Sequence, residues 1–268
     1  MQEKITAASN PRLKRVAALQ QRAKTRREER AFVIEGRRLF LDTPEEFLSE
    51  IYCTESFAGD LANREKLART GYTLIGDEAL LRVSDTQTPQ GVLCVVRMPE
   101  HSLAGLLGAD GEEPLLLVLE DVQDPGNLGT MFRTAEAAGA TGILMSRGTA
   151  DVTNPKAVRA TMSSVFRMPF FYTGDLSAAL SELHRQGIMT CAAQMSGAAS
   201  YDVLSYRKGT AFLIGNEGSG LREETAAAAR QRLRIPMQGK IESLNAAMAA
   251  GILLYEAARQ RRGGERQC

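Results

Sequence analysis

Short apolar runs, each ending in a polar loop and followed by a helix-forming stretch, constrain this chain more than any other feature. The last third shows the pattern most plainly. Ala211-Phe212-Leu213-Ile214 stops at Gly215-Asn216-Glu217-Gly218-Ser219-Gly220-Leu221, and Leu233-Arg234-Ile235 stops at Pro236-Met237. Gln238 to Asn245 is a second polar loop, and Ala246 to Arg262 reads as a small-residue helix. Upstream, Leu115 to Leu119 is apolar throughout, as in a strand covered on both faces of a parallel sheet, and it ends in the polar turn Glu120 to Asn127. Loops that leave the ends of adjacent strands can share one crevice, where open α/β sheets place their ligands. The fold class is α/β.

The 268 residues suffice for two domains. Residues 1–98 alternate helix and strand in a small α/β layer fold. Strands are expected at Phe32–Gly36, Ile51–Thr54, Tyr72–Ile75 and Gly91–Val96. Asn10 to Arg30 reads as one basic helix with Pro11 at its first position and Leu13, Val16 and Leu19 on its apolar side. Arg12, Lys14, Arg15, Arg22, Lys24, Arg26, Arg27 and Arg30 coat the other faces of that helix. Residues 99–114, rich in glycine and acidic residues, read as a linker, and residues 115–268 as a second α/β domain.

Net charge is +1, but residues 1–38 hold eleven Lys/Arg against four Asp/Glu, and residues 39–110 hold five against twelve. A concentrated basic patch neutralises phosphates whatever the chain's total, so this arm is either an RNA-facing surface or an ordinary solvated helix. No apolar run approaches the roughly 18 residues of a membrane span. Cys53, Cys94, Cys191 and Cys268 form no paired motif, which points to a reducing compartment and away from zinc or a disulfide framework. His101 and His184 are too few for a histidine-rich metal site. No Gly-x-Gly-x-x-Gly opens a helix, and Gly239-Lys240 lacks the Ser/Thr a P-loop needs.

Polar loops at strand ends carry Asn127, Glu217, Ser243 and Asn245, with Arg133 on the helix after the first loop. Asn127, Ser243 and Asn245 are also of the type that merely caps helices. Together, Asp124-Pro125-Gly126-Asn127-Leu128-Gly129 with Arg133, Gly215-Asn216-Glu217-Gly218, and Ile235-Pro236-Met237 with Ser243-Leu244-Asn245 resemble the three ordered motifs of the SpoU/TrmH family. These are RNA ribose 2′-O-methyltransferases of the SPOUT superfamily. Ser163 stands where many relatives carry glycine.

The resemblance implies a C-terminal parallel-sheet SPOUT domain with a deep trefoil knot. It also implies a small N-terminal α/β domain similar to ribosomal proteins that bind kinked RNA. The implied cofactor is S-adenosylmethionine, held by Gly215, Asn216, Ile235, Met237 and Leu244. Arg133, Asn127, Glu217, Ser243 and Asn245 take the catalytic positions, with Arg133 stabilising a forming alkoxide, Asn127 orienting it or the ribose, and Glu217 pinning the arginine or a backbone amide. Arg12, Lys14, Arg15 and Arg37 are assigned to RNA. A cytoplasmic homodimer with no metal is expected, acting on 23S ribosomal RNA. A transfer-RNA enzyme, a resistance methylase and a non-catalytic assembly factor are the alternatives.

Overall fold

The computed structural model describes residues 4–194 and 199–262, which divide into two compact units: residues 1–99 with 151–166, and residues 100–150 with 167–268. Cys268, one of the four cysteines, lies outside the described residues. In the first unit β1 (Lys4–Ile5) precedes α1 (Pro11–Gln21) and α2 (Ala23–Glu29). Then follow β2 (Ala31–Glu35), α3 (Arg37–Asp42), β3 (Leu48–Cys53), α4 (Glu55–Gly59) and α5 (Leu61–Thr70). β4 (Thr73–Ile75), α6 (Asp77–Val83) and β5 (Val92–Arg97) complete it. The five strands form a mixed sheet in the order β1-β4-β3-β5-β2. β5 runs antiparallel to both β2 and β3. Leu13, Val16 and Leu19 of α1 are buried with Val33, Tyr52, Leu93 and Val95 of the sheet. This is the apolar side expected from their spacing.

The basic helix is not continuous. Arg22 is extended (φ −121, ψ 110), so α1 ends and α2 starts in a new direction. The redirected α2 buries Arg26, which is 3% exposed rather than part of a solvated coat. Its Nε and Nη2 donate to Asp151 Oδ2 at 3.0 and 2.7 Å, and Nη1 donates to the carbonyls of Leu19 and Gln20 at 2.8 and 3.0 Å. A guanidinium is tolerated inside because its donors are met. The segment 151–166, read in the sequence as part of the second domain, therefore clusters with the first unit. It carries α8 (Pro155–Thr161), which packs on β2. Ser163 adopts φ +73, the left-handed conformation that favours glycine, and its hydroxyl donates to Asp42 Oδ2 at 3.2 Å.

The second unit is a seven-stranded, wholly parallel sheet. Its elements are β6 (Leu115–Leu119), α7 (Pro125–Ala138), β7 (Gly142–Ser146), β8 (Phe170–Thr173), α9 (Leu176–Arg185) and β9 (Met189–Ala193). After these come β10 (Ala199–Ser200), β11 (Thr210–Ile214), α10 (Glu223–Ala228), β12 (Gln231–Arg234) and α11 (Ala246–Arg262). The order is β10-β12-β9-β11-β6-β7-β8, which places β11 between β6 and β9 and β12 beyond β9. Residues 100–114 are part of this unit rather than a free linker, since Leu106 is wholly buried in its core. β8, not expected from the sequence, is a four-residue strand, half-buried at the sheet edge. Gly139 ends α7 with φ +76, as a left-handed cap. The small residues of α11 allow close packing on α7, with Ala247, Ala250, Leu253, Leu254 and Ala257 buried.

Candidate active site

The loops after β6, β11 and β12 converge at the C-terminal ends of the parallel strands. The β11 loop is closed by a reciprocal pair: Asn216 N–H donates to Gly220 O at 3.1 Å, and Gly220 N–H to Asn216 O at 2.9 Å. Asn216 Oδ1 accepts from the amides of Gly218 and Ser219 at 2.9 and 3.1 Å, while its Nδ2 donates to Asp121 O at 2.9 Å. So tight a return leaves no room for a side chain at Gly215. A Cβ there would lie 2.1 Å from the backbone of Gly220 and Leu221. Gly215→Ala is expected to cost about 1–3 kcal/mol and to abolish cofactor binding, because backbone must move. Thermal unfolding and calorimetry with S-adenosylmethionine check this.

Glu217 joins the first two loops. Its Oε1 accepts from Asn127 Nδ2 at 3.0 Å and the Asp124 amide at 3.1 Å, and its Oε2 from the Gln123 amide at 3.0 Å. Partial burial opposes ionisation, but these donors outweigh it and hold the carboxyl below its ordinary value of 4.5. Glu217 is thus an ionised clamp on backbone amides and on Asn127; it does not hold Arg133. The Asn127 Oδ1 accepts from Asn245 Nδ2 at 3.0 Å, which ties in the third loop.

Asn245 does cap α11, its Oδ1 accepting from the amides of Ala247 and Met248 at 2.9 and 3.2 Å. Asn127 does not cap α7. Asp124 does, through its Oδ1 and the Asn127 amide at 2.8 Å, so the Asn127 side chain is spared for the cluster. The signal was present as Asp before Pro, a cap followed by a proline in the first turn. Glu217→Gln should lower kcat/KM about tenfold, since one acceptor oxygen becomes a donor facing an amide. A group held below its unfolded value stabilises fully above 4.5 and loses that effect as pH falls through the folded value. Cofactor affinity should therefore be flat between about pH 5 and 8.

Two cavities flank this cluster. One, of about 650 Å³, is lined by Ile214, Gly215, Asn216, Ile235, Met237 and Leu244, among others. The other, of about 660 Å³, is lined by Gln123, Asp124, Asn127 and Asn245. Glu217, Ser243 and Leu244 line both. Every residue assigned to the cofactor faces the first cavity. Ser243 is exposed, and its side chain makes no hydrogen bond among the described residues, so it is not a cap but a hydroxyl open to the site. Ile235, Pro236 and Met237 lie outside any strand or helix, which leaves backbone donors and acceptors for a purine edge beside apolar walls. The donor set fits S-adenosylmethionine. Among the described residues no group of His, Cys, Asp and Glu could hold a metal, and no helix is long and apolar enough to cross a membrane.

Arg133 is not brought to this cluster within one chain. It is exposed on α7, lines neither cavity and has no hydrogen bond or ion pair among the described residues. Six residues beyond Asn127, it stands about 9 Å along the helix and about 120° round it. In the first unit, Arg12 and Lys14 are exposed and without ion-pair partners among the described residues. Arg15 is paired with Glu29 at 2.6 Å and with Glu50, and Arg37 with Asp60 at 2.8 Å.

Sequence reasoning missed Asp121. Its backbone is left-handed (φ +55). Its amide donates to Ser146 Oγ at 2.9 Å, and the Ser146 hydroxyl donates back to Oδ1 at 2.7 Å. Its carboxylate pairs with Arg222. Beside it, buried Glu120 accepts from the Arg222 amide at 2.8 Å. These two acids fix the β6 loop to the β11 loop and to α10, across about 100 residues of sequence, so no local pattern marks them.

Comparison with known proteins agrees with this geometry. Residues 114–255 match the SpoU rRNA Methylase family and residues 10–94 the MRM3-like substrate binding domain. The 23S rRNA (guanosine(2553)-2′-O)-methyltransferase RlmP of Bacillus subtilis is 32% identical over 94% of this chain and 98% of that one. The AdoMet-bound rRNA methyltransferase of Sinorhizobium meliloti superimposes with TM-score 0.83 at 30% identity, covering 96% of this chain and 97% of that one. The AviRb SpoU methyltransferase of Streptomyces viridochromogenes in complex with AdoMet gives TM-score 0.85 at 27% identity, over 94% and 98%. With loops from three parallel strands gathered round one cleft, and with these matches along nearly its whole length, the chain belongs to the SpoU rRNA methylase family.

Proposed function

We propose that the protein transfers a methyl group from S-adenosylmethionine to a ribose 2′-hydroxyl of 23S ribosomal RNA. The observation that carries this is the pair of cavities meeting at Glu217 and Ser243, one walled for a cofactor and one lined by side-chain amides and two carboxylates. The bound cofactor supplies an electrophilic methyl on a sulfonium. Glu217, Asn127 and Asn245 lock the β6, β11 and β12 loops together and set the floor on which the ribose lies. The Ser243 hydroxyl is positioned to contact substrate or cofactor. A guanidinium must stabilise the alkoxide that forms as the 2′-hydroxyl attacks, since a ribose hydroxyl is a weak acid.

Arg133 fills that role from a second copy of the chain, which accounts for its distance from its own cluster. The exposed Met248 (61%) and Tyr255 (45%), seven residues apart on one face of α11, support such a homodimer. Arg12 and Lys14 contact RNA phosphates. The strand order, with β11 between β6 and β9, supports the knotted path implied by the family. The protein works where ribosomes are assembled, in the cytoplasm; Cys53, Cys94 and Cys191 are free and buried, which suits a reducing compartment.

Mapping ribose methylation of 23S RNA in a deletion strain against its parent tests the proposal. Loss of one 2′-O-methyl group, restored by the wild-type gene, is expected. An unchanged map, together with no heat of binding for S-adenosylmethionine, would favour an assembly factor.

A further inference from the structure

The cofactor cavity takes much of its wall from the loop after β11, and that loop is held at both ends by a residue that lines neither cavity. Glu120 follows β6 directly and is 2% exposed. Its amide donates to the Ile214 carbonyl at 2.9 Å, where the loop departs. Its Oε2 accepts from the Arg222 amide at 2.8 Å, where the loop returns. Its Oε1 accepts from the Thr225 hydroxyl at 2.5 Å, in the first turn of α10. The Arg222 guanidinium stands 3.9 Å from Oε1 and pairs with Asp121, so the buried charge has both its hydrogen bonds and a countercharge.

This double grip sets how closely the two arms of the loop approach. Gly215 lies against the returning Gly220 and Leu221 with no space for a methyl group between them. Gly215, Asn216, Gly218, Ser219 and Gly220 all line the cofactor cavity. A slack return at Arg222 would carry Leu221 and Gly220 outward, and the wall with them. Past Gly220 the arm is held by the Glu120 carboxylate and by the Arg222–Asp121 pair. The Arg222 side chain keeps 57% of its exposure, so water screens that pair. The bond to Glu120 is charge-assisted and its acceptor is buried, which makes it the stronger of the two.

We propose that Glu120 is a positioning residue for S-adenosylmethionine. It holds the β11 loop in its cofactor-binding shape before the cofactor arrives, and Thr225, also outside both cavities, fixes the orientation of its carboxylate. A loop that must be ordered during binding loses affinity, and a loop already ordered does not. Glu120 touches no reacting atom. Its effect therefore falls on cofactor affinity and not on the rate once cofactor is saturating. The inference rests on S-adenosylmethionine being the ligand of that cavity.

The test is calorimetry of S-adenosylmethionine on the full chain, with amide exchange of the unliganded protein as a second readout. Glu120→Ala should weaken binding about tenfold or more, as for loss of a charge-assisted hydrogen bond. Glu120→Gln keeps an acceptor for the Arg222 amide and should return affinity to within about threefold of wild type. Thr225→Val keeps the shape, removes the hydroxyl and should weaken binding about fivefold. The Glu120→Ala, Thr225→Val double variant should bind no worse than Glu120→Ala alone, since both act through one carboxylate. Before any cofactor is added, the Gly220 amide should exchange faster in both single variants. At saturating cofactor, kcat should stay within about twofold of wild type. Wild-type affinity in Glu120→Ala overturns the proposal. If that variant does not fold, Thr225→Val decides alone, and unchanged affinity there overturns it. Additive losses in the double variant, or a fall in kcat with affinity intact, overturn it too. A wild-type chain giving no heat of binding sinks both this role and the proposed reaction, whereas wild-type binding with unaffected variants sinks this role alone.

Discussion

Arg133→Ala is expected to lower turnover by about 10²–10³-fold while leaving S-adenosylmethionine affinity within about twofold, as for loss of one donor to a developing oxyanion. The separation follows from position. Arg133 lines neither cavity of its own chain, so removing it disturbs no cofactor wall. The charge is needed only as the 2′-oxygen becomes negative, which places the effect in kcat and not in binding. The same geometry makes a sharper demand in mixed dimers. An Arg133→Ala subunit paired with an Asn245→Ala subunit retains one complete site if the arginine comes from the neighbour, because the intact Asn245 cluster then faces an intact Arg133. Such mixed dimers should recover about half the wild-type rate by counting sites, well above either parent homodimer, each of which is expected to be strongly impaired. No recovery in purified mixed dimers would return Arg133 to its own chain or remove it from the mechanism.

Asp151→Ala is expected to destabilise the first unit by about 3 kcal/mol, the low end for breaking a buried ion pair. The low end applies because the Asp151 side chain keeps 30% of its exposure, so water can reach the gap. Arg26 cannot leave: it is 3% exposed and anchored by the Leu19 and Gln20 carbonyls. Its charge would stay inside with its Nη2 unmet. Adding Arg26→Met to Asp151→Ala should restore part of the loss, since removing both charges costs less than leaving one. Urea unfolding of the two variants checks both statements. A double variant less stable than the single one would mean that Arg26 contributes mainly through its packing and carbonyl bonds.

The chain's local grammar is legible in its sequence. Leu115–Leu119 and Ala211–Ile214 announced themselves as doubly covered parallel strands because every residue is apolar, and both are buried throughout. The loops following them were marked by the abrupt change to glycine, asparagine and acid, and the residues assigned there to cofactor line one cavity. Asn127, Glu217 and Asn245 are legible as a set only through the resemblance of their three loops to the ordered SpoU/TrmH motifs. Their direct contact, at 3.0 Å in both links, is not. Edge strand β8 escaped notice because it is only four residues long, Phe170 to Thr173, too short for a period to show. The break at Arg22 escaped because neither glycine nor proline marks it.

Periodicity and residue type determined which segments are strands, helices and polar loops, since those depend on neighbours a few positions away and on whether a face is covered. The tertiary structure alone decided that Arg26 is internal, that 151–166 belongs with the first unit, that Asp121 ties three loops, and that Arg133 stands apart from its own cluster. Each of those outcomes is a contact, or a missing contact, between residues far apart along the chain. No local pattern encodes which distant carboxylate, carbonyl or second copy will meet a given side chain.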